Sequence, residues 1–267
     1  MGQDIKSLRT RIKSVDSTLH LTKAMGLVAS SKMRRANEAM MKSRDYTQAL
    51  QEVVSQLTCG AECKKSPYLA DRGEERIRMI VIAGDRGLAG GYNANVFRLM
   101  REYPKAEIIP IGKRACERYG APINSSERFS SEEALALAKA QCADFAAGNF
   151  DRLYLVSTEY VSMLTQTPRV TQLLPLPRGE GAERSVIFEP DELTILNSVV
   201  PTYVAGILVA HLRESFACEV AARRAAMDSA GKNAQEMIDE LQLSYNRARQ
   251  GAITQEITEI VAGSGNG

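Results

Sequence analysis

The chain has 267 residues, of which 44% are hydrophobic and 25% charged, enough for one large domain or two small ones. Aromatic residues make up 6%, with no Trp, which favours helices packed through small side chains over a bulky aromatic core. The net charge of +2 hides an asymmetry: ten basic residues face five acidic ones over 1–58, six face eight over 202–267, and the middle is near neutral.

From the N-terminus, alternating steps of three and four run from Ile5 through Leu8, Ile12, Val15, Leu19, Thr22, Gly26 and Ala29 to Val54 and Leu57 without a slip. That spacing predicts one coiled-coil helix over 1–58, with no Pro before Pro67 and a length that requires a partner. The basic cluster of Lys23, Lys32, Arg34 and Arg35 suits either nucleic acid or an acidic protein loop. No aromatic residues are interleaved with it, as nucleic-acid binding would favour. Cys59 and Cys63 follow the helix; they read either as a redox or metal pair or as free, partly exposed thiols. Five cysteines without zinc-type pairing point to a reducing compartment.

Residues 76–190 switch to strand-length runs at 76–83, 107–111, 152–157, 170–175 and 186–189, with helices expected at 95–103, 113–119 and 131–147. Ser130 or Ser131 with Glu133 offers a cap for the last of these. Alternation of this kind predicts a mostly parallel, Rossmann-like α/β domain, and the Pro- and Gly-rich stretch 175–184 reads as a hairpin or exposed loop. Directly after the first strand comes a glycine-rich turn with Gly84, Asp85, Arg86, Gly87, Gly90, Gly91 and Asn93. A nucleotide phosphate would sit in such a turn, but the spacing fits neither G-x-x-x-x-G-K-[ST] nor G-x-G-x-x-G, so a structural turn with close helix–sheet approach is the better account.

The last segment, 202–267, predicts a second coiled-coil helix. Its proposed seam passes through Leu208, Leu212, Ser215, Ala222, Ala226, Ser229, Asn233, Met237, Leu241, Tyr245 and Ala248, with small residues from Ala217 to Ala230. Antiparallel pairing with 1–58 would bring the two small-residue stretches together; separate packing of each helix on its own bundle neighbour is the other arrangement. Thus an α/β domain at 76–190 would be inserted between two helices that meet as one rod.

No nucleophile, base and oxyanion site assembles, and neither His20 nor His211 has catalytic company. No catalytic, cofactor or metal site is expected. The longest apolar run, about 199–210, contains Pro201 and falls short of the ~20 residues of a membrane helix, and the charged N-terminus has no apolar signal region behind it. No membrane insertion is therefore expected.

Three blocks carry a family resemblance: IKSVDSTLHLTKAMGLVASSKMRRA at 12–36, GDRGLAGGYN at 84–93, and AARRAAMDSAGKNAQEMIDELQLSYNRARQGAITQEITEIVAG at 221–263. Together they are similar to the gamma subunit of the F-type ATP synthase, the central rotary shaft, over essentially the whole chain. The resemblance implies a non-catalytic subunit of a proton-translocating complex, on the cytoplasmic face of a bacterial plasma membrane. Its implied partners are three alpha and three beta subunits, epsilon and the membrane c-ring, with no nucleotide or nucleic acid bound directly. By position, Lys23, Met25, Lys32, Arg34 and Arg35 would face the acidic lever loop of beta. Arg249 and Gln250 would meet its catch loop, and the stretch 253–261, with Ile253, Ile257, Ile260 and Val261, would form the bearing tip. Ala89 departs from the family's usual Cys, and Gly26, Gly231 and Gly251 replace helix-favouring residues. The competing function is an α/β nucleotide-binding enzyme with a coiled-coil dimerisation arm, which needs a phosphate turn that the sequence lacks.

Overall fold

The computed structural model describes residues 2–179 and 189–264. The described chain falls into two compact units, Met1–Ser30 with Arg224–Gly267, and Ser31–Arg223. Two long helices contribute to both: α1, Gly2–Cys59, and α5, Glu192–Ser264.

In the first unit the two helical segments pair antiparallel. Rising positions on α1 meet falling positions on α5: Val15 and Leu19 pack with Ala234 and Ile238, Gly231 lies opposite Thr22, and Gly26 lies opposite Met227. The predicted positions Ile5, Leu8, Ile12, Val15, Leu19, Thr22, Gly26 and Ala29 are all buried or half-buried, while most intervening residues are exposed. The seam of α5 differs from the expected one between 226 and 238. It runs through Met227, Gly231, Ala234, Ile238, Leu241, Tyr245 and Ala248, whereas Ser229, Asn233 and Met237 point to solvent. The sequence assignment followed small residues. The observed seam instead keeps strict steps of four and three, the spacing that keeps one stripe of a helix facing a coiled-coil partner.

The second unit is a three-layer α/β domain that also holds the residue 31–59 and 192–223 segments of the long helices. Its four strands, β1 Ile77–Ile82, β2 Glu107–Ile111, β3 Arg152–Tyr160 and β4 Gln166–Leu174, lie in the order β2-β1-β3-β4. The first three are parallel and β4 is antiparallel to β3, so the sheet is mostly parallel as expected. Alternate residues face opposite layers. Ile80, Ile82, Leu153 and Leu155 pack on α4 (Ser131–Ala146), on α5 through Leu196, Val200, Val204 and Leu208, and on Val54 and Leu57 of α1. On the other face, Met79, Val81 and Val156 meet Val96 of α2, Tyr92–Leu99, with Tyr119 of α3, Lys113–Tyr119, at the edge. Ser130 caps α4 in a full capping box with Glu133. The long helices remain antiparallel neighbours here: Ala36 and Met40 contact Ala217, and Arg44 pairs with Glu214 at 2.6 Å.

Several boundaries differ from the sequence expectation. Helix α5 begins at Glu192, well before 202, and carries Pro201 inside it. An internal Pro costs about 3 kcal/mol, and the buried face of Leu196, Val200, Val204 and Leu208 continues across it and offsets that cost. Strands β3 and β4 extend to 160 and back to 166 because the two form a hairpin ladder whose outer residues are polar and carry no apolar signature. Helix α2 starts three residues early, at Tyr92, and ends in a 3-10 turn, Met100–Glu102. Two further 3-10 turns, Glu62–Lys65 and Pro67–Leu69, follow α1. The strand expected at 186–189 lies outside the described residues except for Glu189, as do residues 180–184 of the expected loop; 175–179 have no regular structure.

Helix α5 contains a stretch within Glu192–Val261 that is long and apolar enough to cross a membrane, contrary to the expectation from the run broken at Pro201. Part of that composition serves packing: Leu196, Val200, Val204, Ile207 and Leu208 are almost fully buried in the core around the sheet.

Candidate functional site

The glycine-rich turn that follows β1 is held by a dense set of hydrogen bonds. Asn93, the second residue of α2, accepts the Gly84 N–H at 2.8 Å and donates to the Arg86 carbonyl at 3.3 Å, closing the turn on itself. Asp85 points away into the loop before α4. Its carboxylate accepts the backbone N–H groups of Lys113, Ser126 and Glu127 at 3.0, 2.9 and 3.1 Å, and the Ser125 and Ser126 hydroxyls at 2.5 and 3.3 Å. Burial pushes its pKa up, but the bonds from Ser125, Lys113, Ser126 and Glu127 outweigh burial and hold the carboxyl below its ordinary value. The carboxylate thus occupies an amide cradle of the kind that a phosphate would use. Gly112, at φ +100°, makes the neighbouring crossing possible, since a Cβ there would collide with the Ala83 carbonyl.

Helix α5 lies across the carboxyl ends of β1 and β3. In a sheet ordered β2-β1-β3-β4 the direction of winding reverses between β1 and β3, and that crevice is where doubly wound sheets take their ligands. Here the chain fills it with its own helix. Ser215 accepts the Thr158 N–H at 3.1 Å through its hydroxyl and the Tyr92 hydroxyl at 3.0 Å through its carbonyl, while the Cys218 thiol donates to the Thr158 carbonyl at 3.4 Å. One turn further on, the Glu219 carboxylate comes so near Gly84 that a Cβ there would lie 2.7 Å from it. Arg223 pairs with Glu219 at 2.5 Å and donates to the carbonyls of Gly87 at 3.2 Å and Arg86 at 3.5 Å. Glu219 is buried, its side chain 4% exposed, and the Arg223 side chain is largely covered at 13%. Residues 84–93 therefore act as a socket, and Ser215, Glu219 and Arg223, spaced i, i+4, i+8, are the key in it.

The sequence singled out the socket and missed the key. Its signal was available: Glu219 is an acidic residue amid small ones in FACEVAARRAA, and Arg223 stands four residues on. The partners of Asp85 at 125–127 left no comparable trace, because a loop that donates backbone N–H groups does so with any side chain.

Of the residues expected to meet partners, Lys23, Arg34, Arg35, Arg249 and Gln250 are exposed and Met25 is half-buried. Lys32 has a role inside the domain, pairing with Glu127 at 2.6 Å and lying 5.8 Å from the centre of the Phe216 ring. Arg86 of the turn approaches the same Glu127 carboxylate at 3.8 Å, so turn, loop and α1 share one charge network. At the far end of α5, Ile253, Ile257, Ile260 and Val261 are 47–71% exposed, an apolar surface on a helix with polar surroundings. Arg35, Arg213, Phe129 and Phe216 are among the residues that line a cavity of about 250 Å³ beside the loop. Cys59 is half-buried and Cys63 buried; burial, with Glu192 and Asp191 nearby, raises the Cys63 pKa, opposite to what an activated thiol needs. His211 shares a 2.8 Å hydrogen bond with Ser157 and has its pKa lowered by burial, while His20 is exposed beside Asp16.

The sequence as a whole matches known proteins end to end. The family model described as ATP synthase covers residues 4–265. The ATP synthase gamma chain of Alkaliphilus metalliredigens (strain QYMF) is 39% identical, with 99% of each chain covered. Among solved structures, a chain of the Euglena gracilis mitochondrial ATP synthase OSCP/F1/c-ring assembly, in rotational state 3, has a TM-score of 0.69 at 18% identity. That match covers 98% of this chain and 94% of that one. A chain of the Tetrahymena thermophila mitochondrial ATP synthase central stalk/c-ring assembly has a TM-score of 0.62 at 21% identity, covering 79% of this chain and 99% of that one. With the family model matching residues 4–265 and a gamma chain 39% identical over 99% of both chains, the chain belongs to the ATP synthase gamma chain family.

Proposed function

We propose that this chain is the central-stalk rotor subunit of an F-type ATP synthase, passing torque between an ion-driven membrane ring and catalytic beta subunits. The observation that carries this is the end-to-end similarity to a bacterial gamma chain, which leaves no part of either chain unmatched beyond 1%. The physics of the chain agrees. A shaft must be thin and stiff, and small seam residues such as Ala29, Ala36, Ala217 and Gly231 let two helix backbones approach closely.

In this reading the chain has no catalytic site and takes no nucleotide, because Glu219 and Ser215 fill the crevice that a nucleotide would need. The organisation is an α/β domain at 76–190 interrupting a shaft made of 1–58 and 202–267. The partners are three alpha and three beta subunits, an epsilon subunit and the membrane c-ring, and the complex sits on the cytoplasmic face of the plasma membrane. Lys23, Met25, Arg34 and Arg35, with Lys32 beside them, meet acidic loops of beta. Exposed ion pairs of this kind are worth about 0–1 kcal/mol each, so they guide contact without locking it. Arg249 and Gln250 meet a second beta loop, and Ile253, Ile257, Ile260 and Val261 turn in an apolar bearing.

Co-purification tests the proposal. The chain, expressed with its native neighbours, is expected to bring down a hexameric partner with ATPase activity. A monodisperse monomer or homodimer that binds nucleotide tightly would refute it.

A further inference from the structure

We propose that Lys32, Asp85, Arg86, Glu127, Glu219 and Arg223 form a polar collar that anchors both long helices torsionally to the α/β domain, and that these are positioning residues for torque transfer. The inference rests on the rotor function proposed above. It starts from how the helices are otherwise held. Most of their contacts with the sheet are apolar, through Leu196, Val200, Val204 and Leu208 of α5 and Val54 and Leu57 of α1, with hydrogen bonds involving His211, Glu214, Ser215 and Cys218 confined to the last residues of β3, 157–160. Apolar burial is non-directional. It resists separation of a helix from its bed but offers little resistance to rolling or sliding in it. Charge-assisted hydrogen bonds are short and directional and resist both.

Apart from Arg44 and Glu214, which bond the backbone of Tyr160 in β3, the charged links converge on one turn. Arg223 of α5 donates to the carbonyls of Arg86 and Gly87 while Glu219 holds its guanidinium in place. Lys32 of α1 pairs with Glu127, whose other oxygen faces Arg86. Asp85 binds the same stretch of loop through four hydrogen bonds, so that Glu127 is held beside the turn. The chain of contacts therefore runs from α1 through loop and turn to α5 within a single unit. In sequence the anchors also sit where they are needed: Lys32 is the second residue of that unit and Arg223 the last. Each helix is pinned at the point where it enters or leaves the domain.

The test uses the assembled, membrane-reconstituted complex and the variants Glu127→Gln, Glu219→Gln, their combination, and the conservative Glu127→Asp and Glu219→Asp. Neither glutamate is among the residues proposed to meet alpha or beta, so ATP hydrolysis by the detached hexamer is expected to match wild type. Ion pumping per ATP hydrolysed is expected to fall roughly threefold or more in the double Gln variant, since neutral hydrogen bonds are about half as strong as the charged ones they replace. The Asp variants are expected to retain most of the pumping, which a loss of fold would not predict. If Glu219→Gln fails to assemble, Glu127→Gln alone decides, because Glu127 is partly exposed and tolerates neutralisation. Wild-type pumping per ATP in the assembled Gln variants would overturn the collar. Failure of the unmodified chain to assemble with a hexamer or to couple pumping to hydrolysis would overturn the rotor function instead.

Discussion

Glycines in the paired-helix unit and in the turn of the α/β unit stand in opposite surroundings. Gly26 and Gly231 lie on a helix seam where an added Cβ would meet its nearest neighbour at 3.7 and 3.6 Å, ordinary contact distances, and Gly251 has open space around it. Gly84 and Gly112 lie where the chain crosses itself: a Cβ at Gly84 would press on the Glu219 carboxylate at 2.7 Å, and one at Gly112 would strike a carbonyl. The same residue is expendable in the first unit and required in the second. The helix pair is held by a repeating pattern that tolerates change at any one position, whereas the turn is held by particular long-range partners.

The largest effect is expected at the buried ion pair of the joint. Glu219→Ala leaves Arg223 charged and largely buried, and should lower unfolding free energy by about 3–5 kcal/mol in denaturant titrations of the isolated chain. Gly112→Ala comes next, at about 2–4 kcal/mol, from strain at φ +100° together with the clash on Ala83. A value below about 1 kcal/mol would mean that the β2–α3 crossing relaxes far more easily than its geometry implies.

In the helix pair the sign reverses. Gly26→Ala, Gly231→Ala and Gly251→Ala should each stabilise by about 0.5–1 kcal/mol, the usual helix-interior cost of Gly, read as a rise in melting temperature. Unchanged or lower melting temperatures for all three would erase the contrast between the units.

The smallest effect concerns pH. Burial depresses the His211 pKa below its ordinary value near 6.5, while Glu214 and Glu159 act in the opposite sense more weakly. A depressed folded pKa means that the neutral ring is preferred in the fold. Stability is then fully present above about pH 6.5 and declines as pH falls through that value toward the folded pKa. His211→Gln should flatten the change in denaturation midpoint between pH 7.5 and 5.5; an unaltered slope would assign the titration to other groups.

Much of the helix pair was legible in the sequence. Every step from Ile5 to Leu57 fell on a buried or half-buried position, because a coiled-coil seam is a one-dimensional pattern that each helix carries by itself. The α5 seam shows the limit. Several small residues offered competing registers around Ala226, and only contact with Gly26 and Leu19 selected Met227 and Ala234. Pro201 misled for a related reason: a local helix breaker was overruled by burial on both sides of it. Strands β3 and β4 outran their apolar runs because a hairpin ladder pays no regard to side-chain polarity at its exposed end.

The glycine turn was visible, and its spacing already spoke against phosphate binding. What fills the crevice was not visible, since residues 84–93 and 215–223 are joined only by folding.

By itself the sequence determined the elements: two long helices of heptad period, a mostly parallel α/β domain between them, and a family resemblance spanning the chain. Those features depend on local spacing and composition, which each segment holds independently. Only the tertiary structure decided the register of the helix pair, the occupation of the sheet's crevice by α5, and the charged collar that ties Lys32 and Arg223 to one turn. These depend on which groups are desolvated together, and burial of a carboxylate beside a glycine more than a hundred residues away is a property that no segment holds alone.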